Sequence, residues 1–258
     1  MEKNPKEESD TFFSNTEFSE MSLTEETINS LKKEGFTTAT EVQLKTIPII
    51  QKGKDILCTA KTGSGKTLSF LIPSMEMLIR TNFSQKQGVG IIIITPTREL
   101  AFQIYSISKK LLFNIKKTCG LIIGGGYRKK ESKQLIKGIN LLIATPGRLL
   151  DHLNYTNGFS CQNLCMLIID EADMILKNGF EDEMKEILNI IPKERQTLLF
   201  SATLNQKVEN LNTLSLKNPI YIKIESKLNQ SPTLSNLDQG FIKLSGVIKF
   251  FLYTFIKK

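Results

Sequence analysis

Little in this chain points to metal or redox chemistry, to secretion or to a bilayer. Its single histidine, His152, cannot anchor a histidine-based metal site and reads as a helix-face residue. Cys58, Cys119, Cys161 and Cys165 form no CxxC pair, and Cys161 and Cys165 stand four apart with no matching pair elsewhere, which argues against zinc. Three of the four lie in or beside apolar, strand-like runs, where cysteine is a small buried hydrophobe. That pattern suits a reducing compartment, cytosol or nucleus. No run approaches the roughly 18 apolar residues that span a bilayer, so no membrane partner is expected. The polar, acidic start from Met1 to Asp10 is not a signal peptide.

What is present is a basic body behind an acidic lead. Residues 1–27 carry two lysines against eight acids, a balance of −6, which leaves +14 on the remainder of a chain whose total is +8. A body so charged suits a polyanion such as nucleic acid, and equally a solvated lysine surface. Charge alone does not choose. The 258 residues, 40% of them apolar, have room for one large domain or two small ones.

One stretch organises the rest: Asp55-Ile-Leu-Cys-Thr-Ala60-Lys61-Thr62-Gly63-Ser64-Gly65-Lys66-Thr67. An apolar run ends in a glycine-rich loop, and an apolar helical pattern follows from Leu68 to Ile79. Backbone N–H groups of such a loop converge on a phosphate, and the helix dipole adds positive potential. Lys66 then supplies a point charge for the β- and γ-phosphates, and the Thr67 hydroxyl a Mg²⁺ ligand. This is a P-loop with Ala60 in place of its first glycine, and it predicts binding of a nucleoside triphosphate.

Downstream, Met166-Leu-Ile-Ile169 is a buried strand ending in Asp170-Glu171-Ala-Asp173. Carboxylates at a strand end cost desolvation unless a cation or a helix N-terminus meets them. Mg²⁺ beside the P-loop meets that need: Asp170 orients the ion through water, and Glu171 polarises the water that attacks the γ-phosphorus. The competing role for these acids is capping of the next helix.

Between and after these motifs, apolar strands alternate with helical patterns. Strands are expected at Val89–Thr95, Thr118–Gly124, Asn140–Thr145, Cys165–Asp170, Gln196–Ala202 and Ile220–Ile224. Strands apolar throughout and separated by helices predict an α/β domain, its mostly parallel sheet covered on both faces. Right-handed crossovers then collect the strand C-terminal ends on one edge. Ser22-Leu-Thr-Glu25 and Thr40-Glu-Val-Gln43 are capping-box patterns that open two earlier helices.

Taken together, the P-loop and the Asp-Glu-Ala-Asp tetrad resemble the DEAD-box ATP-dependent RNA helicases. Further signatures follow in order: Pro96-Thr97-Arg98-Glu-Leu-Ala, Gly125-Gly126, Thr145-Pro146-Gly147-Arg148 and Ser201-Ala-Thr203. Each of these alone is compatible with an ordinary β–α turn. The resemblance covers about Phe18 to the end and implies the first of the family's two RecA-like domains. It implies ATP and Mg²⁺ as ligands, with Lys66, Asp170 and Glu171 as catalytic residues. Pro96, Thr97, Arg98, Gly125, Gly126 and Thr145 to Arg148 are implied to grip the backbone of single-stranded or duplex RNA without reading bases. Asp173, Ser201 and Thr203 are implied to couple nucleotide state to the other domain.

Gly35-Phe36 through Gln43 resembles the family's adenine-recognising Q motif, with Ala39 where proline is usual. The Gln43 amide pairs with adenine N6 and N7 in that reading, and Phe18, seventeen positions before Gly35, stacks on the base. A helix cap and a hydrophobic staple are their respective alternatives. The stretches Ile143–His152, Arg195–Thr203 and Asn236–Phe241 look most like the nucleolar branch acting on pre-ribosomal RNA, although Met174 stands where arginine is frequent. Nuclear, nucleolar location and a helicase-activating protein follow from that branch, with cytoplasm as the alternative. The expected organisation is a disordered acidic tail over 1–16, a Q-motif region over 17–44 and the RecA-like domain over 45–230. Residues 231–258 are then a linker and the start of a truncated second domain, and an ATP-gated RNA-binding module without turnover is the alternative function.

Overall fold

A computed structural model describes residues 13–224, which lie within one unit, Thr11–Glu225. The expected tail over 1–12, and the linker with the start of a second domain over 231–258, lie outside the described residues.

In chain order the elements are β1 (Phe13–Glu17), α1 (Glu25–Lys33), β2 (Thr38–Thr40), α2 (Glu41–Gln51), β3 (Ile56–Thr59), α3 (Lys66–Arg80) and β4 (Ile91–Ile94). They continue with α4 (Arg98–Asn114), β5 (Cys119–Ile122), α5 (Arg128–Lys137), β6 (Leu141–Ala144) and α6 (Pro146–Tyr155). The last are β7 (Met166–Ile169), α7 (Ala172–Lys177), α8 (Glu181–Ile190), β8 (Gln196–Ser201), α9 (Gln206–Ser215) and β9 (Ile220–Lys223). No described helix is long and apolar enough to cross a membrane.

Seven strands pair in parallel in the order β5-β6-β4-β7-β8-β3-β9. Alternate residues of the inner strands enter one of two cores, whereas the edge strand β9 buries only Ile222. Cys58, Ile93, Ile143, Ile168 and Phe200 pack against α1 to α4, whereas Leu57, Ile94, Ala144, Ile169 and Leu199 pack against α5 to α9. Both faces are therefore apolar, as a fully covered parallel sheet requires. Phe70 of α3 meets Phe200 of β8 edge-on at 5.4 Å between ring centroids, locking the P-loop helix to the sheet centre.

The register aligns the strand ends. Ile122, Ala144, Ile94 and Ile169 are opposite one another across β5, β6, β4 and β7, and Thr59 is opposite Ser201 and Lys223. Every motif singled out after β3 thus leaves the sheet on the same edge. Strand β8 lies between β3 and β7, so its end stands between the P-loop and the acidic turn.

Three local expectations are corrected. Phe13–Glu17 pairs antiparallel with Thr38–Thr40, so the unstructured stretch does not extend over 13–16. The cap of α1 is Thr24 rather than Ser22: its hydroxyl oxygen accepts from Thr27 N, while its own N–H and O–H both donate to the buried Glu76 of α3, at 2.8 and 2.7 Å. Helix α7 was not expected at all. It is six residues long, too short for a periodic signal, and follows the acidic turn directly. By contrast, Thr40 and Gln43 are paired as their spacing implied: Gln43 Oε1 accepts from Thr40 N–H, although Thr40 Oγ1 itself is buried without a hydrogen-bond partner.

Phe200→Ala is expected to destabilise the chain by about 4 kcal/mol, because it opens a cavity at the sheet centre and removes the Phe70 contact. Urea denaturation of the two proteins measures this, and a loss below about 1 kcal/mol would show that the centre collapses around the smaller residue.

Candidate active site and nucleic-acid interface

The P-loop joins β3 to the N-terminus of α3, with Gly63 and Gly65 at φ 80° and 93°. Its first residue is tied to the neighbouring strand through Ala60 N–H donating to Ser201 O at 3.1 Å. Lys66 is buried, and its Nζ donates to Ala60 O at 2.9 Å, holding the ammonium across the loop. Ser64 Oγ donates to Lys61 O, while Lys61, Thr62 and Gly63 are exposed and Thr67 is half-buried. Gly65 is the most constrained: a Cβ there would lie 2.7 Å from both Gln43 Nε2 and Thr40 Oγ1. Helix α2 is thereby seated directly on the loop.

That seating engages the Gln43 amide from both ends. Its Oε1 accepts from Thr40 N–H at 2.8 Å and its Nε2 donates to Gly65 O at 2.9 Å. One lone pair and one N–H remain for any adenine. Phe18 is only 2% exposed and belongs to the core, so the free face that base stacking requires is not offered here. The staple-like, packing role is the one seen.

Across β8 from the loop, Asp170 ends β7 at 4% exposure. Burial pushes its carboxyl up from 3.8 to about 6, against the pull of the Lys66 ammonium. Glu171 N–H donates to Asp170 Oδ1 at 3.0 Å. Glu171 itself occupies the left-handed region at φ 50°, costly for a residue with a Cβ. It stands at the N-cap of α7, yet its side chain caps nothing, so the capping alternative is not what the structure contains. Asp173 Oδ2 accepts from Thr203 Oγ1 at 2.9 Å, and Ser201 Oγ donates to Thr203 O at 2.6 Å. The second Asp173 oxygen is buried without a hydrogen-bond partner. Cys58, in β3, has its thiol pushed up to about 12 by burial despite the nearby Lys66, which makes it unreactive.

These residues fit magnesium and a triphosphate. The buried Asp170 feels the Lys66 ammonium, and across the end of β8 the half-buried Thr67 stands in the first turn of α3. The described residues hold no group of three or more His, Cys, Asp and Glu side chains that could bind a metal alone. A Mg²⁺ ion that takes most of its ligands from phosphates and water needs only one or two from the protein.

On the other half of the same edge lies a cleft of about 660 Å³, lined by Pro96, Thr97, Arg98, Gly124, Thr145, Gly147 and Arg148. Thr97 caps α4 by accepting from Leu100 N–H, and the exposed Arg98 lies over the glycine turn: a Cβ on Gly125 would sit 2.8 Å from its Nη1. Thr145 and Pro146 open α6 without a side-chain cap, leaving its first N–H groups toward the cleft. Glu99 of α4, with Asn178 and Phe180 from the turn between α7 and α8, completes the lining. The sequence carried one usable signal for them, Gly179 as the stop of a helix, but α7 itself was not read.

Arg148 lines the cleft, and its guanidinium is also engaged within the protein. Its Nε donates to Glu131 Oε2 at 2.8 Å, Nη1 to Asp151 Oδ2 at 3.4 Å and Nη2 to Gly126 O at 2.6 Å. The guanidinium is a strut between α6, α5 and the glycine turn. Glu131 is the hub, since its Oε2 also shares a hydrogen bond of 3.0 Å with His152 Nε2, while His152 Nδ1 shares one of 2.8 Å with Thr156 Oγ1. His152 is fully buried, not a surface helix residue. Spacing could not reveal this hub, because Glu131 and His152 meet only when β5 and β6 pair.

Two outcomes are expected. In metal-free buffer the raised carboxyl of Asp170 means that the folded chain holds this proton more tightly than the unfolded one. Its contribution to stability is thus fully present below about pH 4 and lost as pH rises through about 6. Asp170→Asn should melt higher than the parent above about pH 6 and converge with it below about pH 4, as thermal melts in chelator will show. Glu131→Ala should cost about 3 kcal/mol in urea denaturation, because it strands Arg148 and His152 together.

Comparison with known proteins agrees with this geometry. Residues 40–211 match the family model described as DEAD/DEAH box helicase. An ATP-dependent RNA helicase HAS1 from Phaeosphaeria nodorum is 50% identical over 94% of this chain, and one from Schizosaccharomyces pombe is 50% identical over 93%. The DEAD-box ATP-dependent RNA helicase 27 of Arabidopsis thaliana is 47% identical over 97%. The chain spans 40%, 42% and 40% of these relatives' own lengths, respectively. The crystal structure of a DEAD box protein from Methanococcus jannaschii superposes with a TM-score of 0.75 at 33% identity, covering 94% of this chain and 63% of that one. A parallel RecA-like sheet carrying a P-loop, an Asp-Glu-Ala-Asp turn and a glycine-lined cleft on one edge, matched by that family model over most of its length, places this chain in the DEAD/DEAH box helicase family.

Proposed function

We propose that this chain is the ATP- and RNA-binding part of an ATP-dependent RNA helicase, acting on pre-ribosomal RNA in the nucleolus. The observation that carries the reading is the shared edge: the phosphate-facing loop, the buried acids and the cleft all leave parallel strands at the same end. Nucleolar work on ribosomal precursors is supported by the likeness to the HAS1 proteins, and location and any activating protein follow from it.

In this reading the P-loop from Ala60 to Thr67 wraps the phosphates of ATP, with Lys66 leaving the Ala60 carbonyl for the β- and γ-oxygens. Thr67 and Asp170 would hold Mg²⁺, which neutralises charge developing on the phosphates. Glu171, kept free of capping by its left-handed backbone, orients and polarises the attacking water. The remaining lone pair and N–H of Gln43 select adenine. RNA lies along the cleft, its phosphates meeting Arg98 and the uncapped N-terminus of α6, while Gly125, Gly126 and Gly147 allow close backbone approach. Arg148 holds the glycine turn against α6. Through Thr203, Asp173 ties the acidic turn to the end of β8, the route by which nucleotide state reaches a second RecA-like domain.

A second reading, an ATP-gated RNA-binding module without turnover, is favoured by where the arginines are. Arg98 and Arg148 belong to the cleft, Arg128 pairs with Asp151, Arg80 ends α3 beside Glu76, and Arg195 precedes β8 on the opposite edge. None stands at the nucleotide loop to meet transition-state charge, which such groups stabilise by about 10³ to 10⁵ in rate.

Nucleotide binding and ATP hydrolysis by the chain, with and without single-stranded RNA, test both readings. Lys66→Ala is expected to weaken nucleotide binding about tenfold or more, the value of a charge-assisted hydrogen bond. Unchanged binding would overturn the loop's assignment. RNA-stimulated turnover abolished by Glu171→Gln would establish catalysis by this chain alone, whereas binding without turnover would establish the module.

A further inference from the structure

Helix α5 leaves the glycine turn at the end of the cleft and carries five cations and one acid, Glu131. The acid is withdrawn: Glu131 is buried and accepts from Arg148 and His152. Arg128 is neutralised by Asp151. The other four cations, Lys129, Lys130, Lys133 and Lys137, are exposed, and none takes part in an ion pair among the described residues. At the head of the helix, next to Gly126, stands Tyr127 with 87% of its surface in water, an unusual exposure for an aromatic ring.

Lys130, Lys133 and Lys137 recur at intervals of three and four, so they share one helix face, and Tyr127 stands at the N-cap ahead of it. From Tyr127 to Lys137 that face runs about 15 Å, enough for several nucleotides. An aromatic platform followed by an uncompensated row of lysines is the pattern that binds a single strand by stacking and phosphate neutralisation. An adjacent buried acid that points inward leaves that row with no internal counter-charge.

We propose that Tyr127 and the lysine face of α5 form a second RNA-binding surface, continuous with the cleft, which takes single-stranded RNA beyond the Gly125-Gly126 turn. This rests on the reading of the cleft as an RNA site. The cleft grips one short stretch of backbone, and α5 lengthens the footprint without adding base specificity.

The test is fluorescence anisotropy of the full 258-residue chain with oligouridine RNAs of about 6 and about 14 nucleotides, a range that brackets single-strand site sizes. The long RNA should bind more tightly and with a steeper salt dependence, by about 0.7 in log–log slope for each lysine engaged. Replacing Lys130, Lys133 and Lys137 by alanine should abolish both advantages and leave the short RNA unaffected. Tyr127→Ala should weaken the long RNA about fivefold or more with the salt slope unchanged. Equal affinity for the two RNAs, or a length advantage that survives the lysine replacements, overturns the inference while the cleft stands. No binding of either RNA overturns the reading of the cleft, and this inference with it. Competition by polyglutamate as effective as by the long RNA would identify a general polyanion surface and overturn the RNA assignment.

Discussion

A parallel sheet buried on both faces has nowhere to put polar chemistry except at the ends of its strands. Ile91 to Ile94, Leu141 to Ala144 and Met166 to Ile169 are all fully buried, and alternate side chains serve two separate cores. Each strand must therefore end before its first functional residue begins, and right-handed crossovers place all those beginnings on one edge. The loop that binds phosphate, the acidic turn and the cleft are consequences of this one restriction. Their spacing follows from strand order: β8 separates the nucleotide loop from the acids, while β4, β6 and β5 carry the cleft.

The edge is not a stable place by itself. Asp170 is held in a setting that favours its neutral form, Glu171 is twisted into a left-handed conformation, and Asp173 has a buried oxygen with no partner. Three successive departures from comfortable geometry lie within four residues, at the mouth of an otherwise well-packed core. Such clustering is what a site arranged for a ligand carries, since the ligand supplies the missing charge and hydrogen bonds. The cleft half differs: Arg148, Glu131 and His152 satisfy one another, so that half is pre-formed and rigid.

Legibility followed the range of the interactions. Motifs whose function is carried by adjacent residues, such as Lys66-Thr67 or Thr40 with Gln43, could be read from spacing, and the strands could be read from unbroken apolar runs. Side chains whose role depends on a distant partner could not. Nothing near Arg148 in the sequence marks Glu131 as its partner, and nothing about His152 on its helix face shows that it is buried against the same acid. Phe18 has the spacing of a stacking ring, but the apolar environment formed by α1 to α4 draws it inward. Asn178 and Phe180 were missed because a six-residue helix has no period to detect.

The contact between Gly65 and the Gln43–Thr40 pair has a bearing on how such chains can diverge. The space a Cβ would need at 65 is already filled by the amide of one residue and the hydroxyl of another. A side chain at 65 therefore requires the Thr40 and Gln43 side chains to give way, on top of the strain of a left-handed backbone. The segment ahead of the P-loop thereby limits which residues the P-loop can carry at 65, although Gln43 and Gly65 are 22 positions apart in the chain.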